Sequence, residues 1–378
     1  MTVEWTSSDK NETLAHTGTM ELSGKKANLL QHALTHSDYA ALSSAEDDVS
    51  NGIMVISAEN LSYQTFSGVG TKAAVTDALF ARLQAKMTKH HLNLAYTRIS
   101  NYYETENGSV NRVTQLNDLQ ASALVGLQLD LNASGVLVPL PNEIEQKSVF
   151  DRILERTENE IKTFKADKEI IGTIPKTENL DLINAIVKEY VKRGIRHFAM
   201  DFCASPIPRA HIRTAVRAIR EHLKIKRGEV PTEKQYTFHV LNAPTSVKSS
   251  AEVTPVTDLL THAYGIDTTS GVIWGGGILK KENLRWYNTP DYGAYRLGAI
   301  KNYPDVHLPA RIDEGSPQSV YNHLRVARIK AYKQECKVVS ARVNEEAAKG
   351  YAPYLWTKNK AEDKVRNVLL DVKEIKAI

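Results

Sequence analysis

Three carboxylates stand where this chain could do chemistry: Glu59, Asp201 and Asp267. Glu59 follows Gly52-Ile-Met-Val-Ile-Ser57, Asp201 closes Arg196-His-Phe-Ala-Met, and Asp267 follows Ile266 and precedes Thr268-Thr-Ser270. Carboxylates carried by separate strands can converge on one pocket, and a pair of them suits reaction at a glycosidic carbon. One attacks or stabilises the oxocarbenium-like centre, and the other manages the proton on the leaving group. More polar residues follow the same kind of apolar run: Tyr63 and Gln64; Asn142, Glu143 and Glu145; Lys176; Cys203; and Asn242, with His239 inside its run. Other chemistries lack their motifs. There is no P-loop and no His-Glu-x-x-His helix, and Gly68-Val-Gly70 and Gly275-Gly-Gly277 are glycine turns without the dinucleotide fingerprint.

The elements that must position these groups alternate in type. Runs rich in Val, Ile and Leu at 52–57, 135–140, 169–174, 196–202 and 236–241 predict strands buried on both faces, and a further short strand holds Ile266. Helical periodicity covers 76–90, 148–165, 180–193, 209–223 and 256–264, with Gly194 as a stop signal. This repetition predicts an α/β chain, a TIM-type (β/α)8 barrel with insertions and a C-terminal helical extension, whose reactive groups gather at the carboxyl ends of the strands. The expected division is a polar, poorly patterned segment 1–45, a barrel over 46–335 and a basic helical extension over 336–378. Residues 278–316 read as an insertion and 316–350 as one long helical stretch.

Composition narrows the class. The chain has 378 residues, 42% of them hydrophobic, and no apolar run near the ~20 residues a membrane span needs. Its first ten residues lack the basic start and apolar core of a signal peptide. Cys203 and Cys336 are too few for a disulfide framework or a structural zinc site, which points to a cytoplasmic protein without bound metal or cofactor. Net charge is +4, but basic residues cluster at Arg209, Arg213 and Arg217 and again at Arg325 and Arg328, at spacings that place several on one helix face. Such faces either contact phosphates or are simply solvated.

The order of these segments resembles the tRNA-guanine transglycosylase superfamily over about residues 50–335. Glu59-Asn-Leu-Ser-Tyr-Gln64 stands where that family carries Asp-Ser-Gly-(Ala/Gly)-(Tyr/Phe)-Gln, with Tyr63 and Gln64 matching. Val136-Leu-Val-Pro-Leu140 resembles Gly-Val-Pro-Leu-Asp, with Pro141 in place of the base-reading aspartate. Gly172-Thr-Ile-Pro-Lys176 resembles Gly-Ile-Val-Gln-Gly, and Phe198-Ala-Met-Asp201 and His239-Val-Leu-Asn-Ala-Pro244 resemble the two strands that follow. Tyr264-Gly-Ile-Asp-Thr268 resembles the nucleophile motif Asp-Leu-Phe-Asp-Ser.

The resemblance implies that Asp267 is the nucleophile and Glu59 the acid/base. It implies substrate contacts from Tyr63, Gln64, Asn142, Gly172, Asp201, His239 and Asn242. The family's zinc-binding cysteine cluster is absent from 278–320. The implied activity is exchange of guanine for a 7-deazaguanine base through an aspartyl–sugar intermediate, in DNA more than in tRNA because no zinc cluster or appended RNA-binding domain is recognisable. Phosphate contacts would come from Arg209, Arg213, Arg217, Arg325 and Arg328. Three alternatives remain open at this stage: a non-catalytic nucleic-acid-binding relative, a partner subunit or homodimer of a catalytic chain, and a barrel enzyme acting on a small molecule.

Overall fold

The computed structural model describes residues 2–8, 13–44, 52–89, 91–99, 102–104, 110–141, 143–202, 209–226, 235–243, 250–271, 280–308, 312, 316–345 and 349–377. The chain opens with an antiparallel sheet of β1 (Thr2–Ser8), β2 (His16–Leu22) and β3 (Lys25–Asn28). Eight barrel strands then follow in chain order: β4 (Gln31–Thr35), β5 (Met54–Leu61), β6 (Leu92–Ile99), β9 (Gly135–Leu137), β10 (Glu169–Ile174), β11 (His197–Asp201), β12 (Thr237–Leu241) and β14 (Thr268–Ser270), with the antiparallel pair β7 (Tyr102–Glu104) and β8 (Val110–Arg112) between β6 and β9. Each pairs in parallel with its neighbours, and the first lies beside the last. The remaining gap, between β6 and β9, is bridged where Ser134 N donates to Asn93 O at 2.8 Å and Asn93 N to Ser134 Oγ at 3.0 Å. The architecture is therefore a (βα)8 barrel, as the alternation predicted.

Strand alternation fills the barrel. Met54, Ile56 and Ala58, then Leu92, Leu94 and Tyr96, then Leu137, Ile171, Ala199 and Leu241 form one buried cluster. Met20, Leu22 and Ala27 of the opening sheet belong to the same cluster, so that sheet plugs the amino-terminal mouth. Outside the strands, α6 (Leu180–Lys192) shows why the helices form. Leu182, Ile183, Ile186, Val187 and Tyr190 make one apolar stripe, Asn179 caps the start, and Gly194 follows the end with φ +82°.

Three expectations need correction. The segment 1–45 is not a separate polar arm; it holds the plug sheet, the first barrel strand and α1 (His36–Ser44). Its strands are short and carry polar outer faces, which hid the pattern. The strand Leu92–Ile99, also missed, alternates apolar residues with Asn93, Thr97 and Arg98. Residues 256–264 do not form an α-helix: β13 (Val253–Pro255) is followed by a 3-10 turn, Leu259–Tyr264, closed by Gly265 at φ +79°. A Cβ on Gly265 would lie 2.9 Å from Leu14 O, so the plug packs directly on this turn.

Two strands of the insertion, β15 (Arg285–Asn288) and β16 (Gly293–Arg296), join β13 in a small antiparallel sheet. After it run the long α8 (Pro317–Val343), α9 (Tyr351–Trp356) and α10 (Glu362–Lys376). Among the described residues no helix is long and apolar enough to cross a membrane.

Candidate functional site

Asp201 ends β11 at the carboxyl-terminal mouth. Ala199, two residues earlier, faces the barrel interior, so Asp201 does too. The Tyr96 hydroxyl donates to Asp201 Oδ2 at 2.5 Å, and Arg98 Nε lies 3.9 Å from the same oxygen. Tyr96 and Arg98 are two residues apart on β6 and share its inward face. Thr173 on β10 pairs with Ala199 and follows the inward Ile171 by two residues. Its buried hydroxyl has no hydrogen-bond partner among the described residues. Native proteins pair almost all such groups, so this hydroxyl is an exception in the barrel interior. Asn242 completes the rim. It follows β12 with φ +55°, and its backbone N–H donates to Ser270 Oγ at 2.9 Å. The mouth thus offers a carboxylate, a phenol, a guanidinium and a free hydroxyl.

Asp267 lies elsewhere. It precedes β14, at the amino-terminal end of the barrel, whereas the sequence reading expected it where a strand opens into a carboxyl-end loop. The cause is the compact 3-10 turn, which delays the strand until residue 268. The two oxygens of Asp267 meet different neighbours. Oδ2 accepts from Phe238 N at 2.7 Å, and Oδ1 lies 2.7 Å from His16 Nε2 on the plug. The other ring nitrogen of His16 faces Leu14 O at 3.2 Å, and Trp5 stacks on the ring at 3.7 Å. The ring nitrogens thus lie against a carboxylate and a carbonyl oxygen, which sets the ring between the plug and the barrel.

Other predicted site residues also turn away from the mouth. Glu59 is held by Lys86 and by Arg82, whose Nε is 3.1 Å away; these lie on and just beyond α3 (Ala73–Gln84), outside the barrel. Its side chain alternates with the inward Ala58, so it faces outward. Gly172 likewise faces outward, and a Cβ there would meet the Tyr190 ring at 2.8 Å, so its smallness serves helix packing. His239 is inside the barrel but saturated. Nδ1 faces Thr268 Oγ1 at 2.7 Å and Nε2 faces Thr237 Oγ1 at 3.0 Å, while burial lowers its pKa to about 4 and keeps it neutral. His197 extends the chain through Thr237 at 2.6 Å.

Tyr63 and Gln64 lie on α2 (Tyr63–Gly68), a short helix that follows β5 at the carboxyl mouth and is capped by Ser62. Asn142 and Cys203 lie outside the described residues.

The basic clusters are largely spent inside the chain. Arg209 grips Asp371 of α10 with Nε at 3.0 Å and a second guanidinium nitrogen at 2.8 Å. Arg213 reaches Asp371 at 3.3 Å and Glu374 at 3.1 Å, and Arg217 pairs with Glu221 at 2.8 Å. Arg325 binds Asp38, and the Arg325 and Arg328 guanidiniums hold the Asp38 carboxyl below its usual range despite burial. Three of the five arginines expected on phosphates therefore staple helices to the barrel; Arg217 pairs within its own helix, and Arg328 adds its charge to the field on Asp38.

Sequence reasoning missed Tyr96, Arg98, Thr173 and His16. The signal for the first two was their i, i+2 spacing in an alternating run; nothing in the sequence joined His16 to Asp267.

The fold and this mouth define a (βα)8-barrel protein with a polar centre at the end where such barrels do their chemistry. No family model matches the chain, and no curated protein matches it. Among solved structures it is similar to the carboxyl transferase domain of Rhizobium etli pyruvate carboxylase with 3-bromopyruvate, at 14% identity and TM-score 0.37, covering 92% of this chain and 56% of that one. It is also similar to the complete multifunctional pyruvate carboxylase of that organism, at 13% identity and TM-score 0.36, covering 92% of this chain and 32% of that one. The chain thus spans little more than half of the proteins it matches, or less, and likeness at this level bears no functional argument.

Proposed function

We propose that this chain is a (βα)8-barrel enzyme whose reaction centre is the carboxyl mouth around Asp201, acting on a small polar substrate with an anionic group. The observation that supports it is the inward-facing Asp201 held by Tyr96 at 2.5 Å with Arg98 alongside. In this reading Asp201 is the base or nucleophile, Tyr96 orients it and relays the proton, and Arg98 takes the substrate's anionic group. Thr173 supplies an additional hydrogen bond. A small substrate is favoured over a polynucleotide because Arg209, Arg213 and Arg325 are committed to carboxylates within the chain.

A second reading keeps the base exchange that the sequence resemblance implies. It is supported by α2, a short helix that starts at Tyr63 just past the carboxyl end of β5. In that version Asp201, not Asp267, attacks the sugar carbon. A carboxylate oxygen bonds to that carbon as the glycosidic bond breaks, the electron pair leaves with guanine, and a 7-deazaguanine base later reverses the step. The cytoplasmic setting belongs to both readings.

One comparison tests them. Purified wild-type protein and Asp201→Asn are screened by thermal shift against a panel of organic acids, sugar phosphates and nucleotides. The same two proteins are assayed for base exchange on guanine-containing DNA and on tRNA. A stabilising anionic metabolite that loses its effect in Asp201→Asn supports the first reading. Exchange, with a covalent adduct absent in Asp201→Asn, supports the second. Equal behaviour of the two proteins in every assay removes Asp201 from the function.

A further inference from the structure

A cavity of about 500 Å³ lies between the plug sheet, the start of β4 and α8, on the side of the barrel away from Asp201. Protein interiors rarely leave voids larger than a water molecule, and this volume is in the range that binds small molecules. Its inner wall is apolar: Leu30, Leu34, Leu42, Ile53 and Ile329 are all buried. Lys333 and Lys337, one helical turn apart on α8, border it. Neither has an ion pair or hydrogen bond among the described residues, whereas Arg209, Arg213 and Arg325 are all neutralised within the chain. Thr17, Asn28 and Ser340 add polar groups around the same opening.

The remaining titratable groups that face the space carry no charge. His32 is pushed down to about 3 by burial and stays neutral, and the Cys336 thiol is pushed up to about 12, so it stays protonated and unreactive. The two lysines therefore set the sign of the site. Gly52 lies at the wall with φ +90°, and a Cβ there would reach within 2.8 Å of the Asn28 side-chain nitrogen.

We propose that this cavity binds an amphiphile with a single anionic headgroup, its aliphatic chain along Leu34, Leu42, Ile53 and Ile329 and its headgroup between Lys333 and Lys337. The apolar wall gains by shedding water, and the lysines find the counter-charge they lack. The site is non-covalent and separate from the carboxyl mouth.

Isothermal titration of the full chain with decanoate, decyl phosphate and decanol tests this. The expected result is saturable one-to-one binding of the two anions, with decanol at least tenfold weaker. The tighter of the two anions identifies the headgroup as carboxylate or phosphate. Lys333→Gln with Lys337→Gln should weaken anion binding at least tenfold with the melting temperature unchanged. Ser340→Trp, which puts bulk into the opening, should abolish binding, whereas Asp201→Asn should bind like wild type. The proposal is overturned if none of the three amphiphiles saturates, if decanol binds as tightly as the anions, or if the lysine and Ser340 variants bind as wild type does.

Discussion

The two mouths of this barrel each carry a buried aspartate at a strand end, and the two side chains live in opposite chemical worlds. At the amino mouth, Asp267 is locked between the Phe238 backbone N–H and His16, beneath a stacked tryptophan and a sheet that closes the opening. At the carboxyl mouth, Asp201 is met by a phenol and a more distant guanidinium, beside a threonine hydroxyl with no partner among the described residues. A carboxylate closed off between a backbone N–H and a neighbouring ring holds structure together. One set among a phenol, a guanidinium and a hydroxyl on the inner faces of the barrel strands is the centre of the proposed function. The general asymmetry of such barrels, stability below and chemistry above, appears here in a single residue type.

The largest expected effect tests that contrast directly. Asp267→Ala leaves the Phe238 backbone N–H and the His16 ring buried without the partner they share and should cost about 3–5 kcal/mol in urea unfolding. Asp201→Asn should change stability by less than about 1 kcal/mol while removing function, since site residues are commonly kept at the expense of stability. The contrast breaks if Asp201→Asn is the more destabilising of the two.

Gly172→Ala should come next, at about 1–3 kcal/mol, because the new methyl has to displace the Tyr190 ring. If the variant is as stable as wild type but loses ligand binding, Gly172 belongs to the site after all.

Acid should loosen the barrel interior before it affects the mouth. His197, His239 and His262 have pKa values lowered by burial to about 3, 4 and 4. Unfolded, they take up protons below about 6.5, so between about 6.5 and 4 the unfolded chain binds more protons and stability falls as pH drops. Asp258 opposes this, since burial raises it to about 7 and the folded state then holds the extra proton as pH falls through that value. Each histidine contributes on the order of 1.4 kcal/mol per pH unit. His239→Gln should reduce the slope of unfolding free energy against pH by about one proton. An unchanged slope would mean that His239 is protonated in the folded state.

The smallest effect concerns the basic face. Arg213→Gln removes a half-exposed guanidinium from Asp371 and Glu374 and should cost no more than about 1 kcal/mol. It should also leave nucleic-acid affinity unchanged; a marked loss of affinity would return this helix to a phosphate-binding role.

Much of the frame was legible because buried parallel strands and amphipathic helices write periodic patterns. The runs at 169–174, 196–202 and 236–241 and the helix at 180–193 match their elements to within two residues at each end. The first and third strands were not legible. Gln31-His-Ala-Leu-Thr35 is short and carries three polar side chains, and Leu92–Ile99 interleaves polar residues with apolar ones. The small sheet in the insertion lay outside any apolar run.

The chain's own pattern determined the barrel class, the alternation of elements and the presence of a carboxylate at the end of β11, since these depend on which residues repeat and at what spacing. Only the tertiary structure decided which end of a strand Asp267 occupies, which way Glu59 and Gly172 face, and which carboxylates claim Arg209, Arg213 and Arg325. Those facts depend on a 3-10 turn that postpones a strand to Thr268, on the parity of a strand, and on partners such as His16 and Asp371 that lie more than a hundred residues away along the chain.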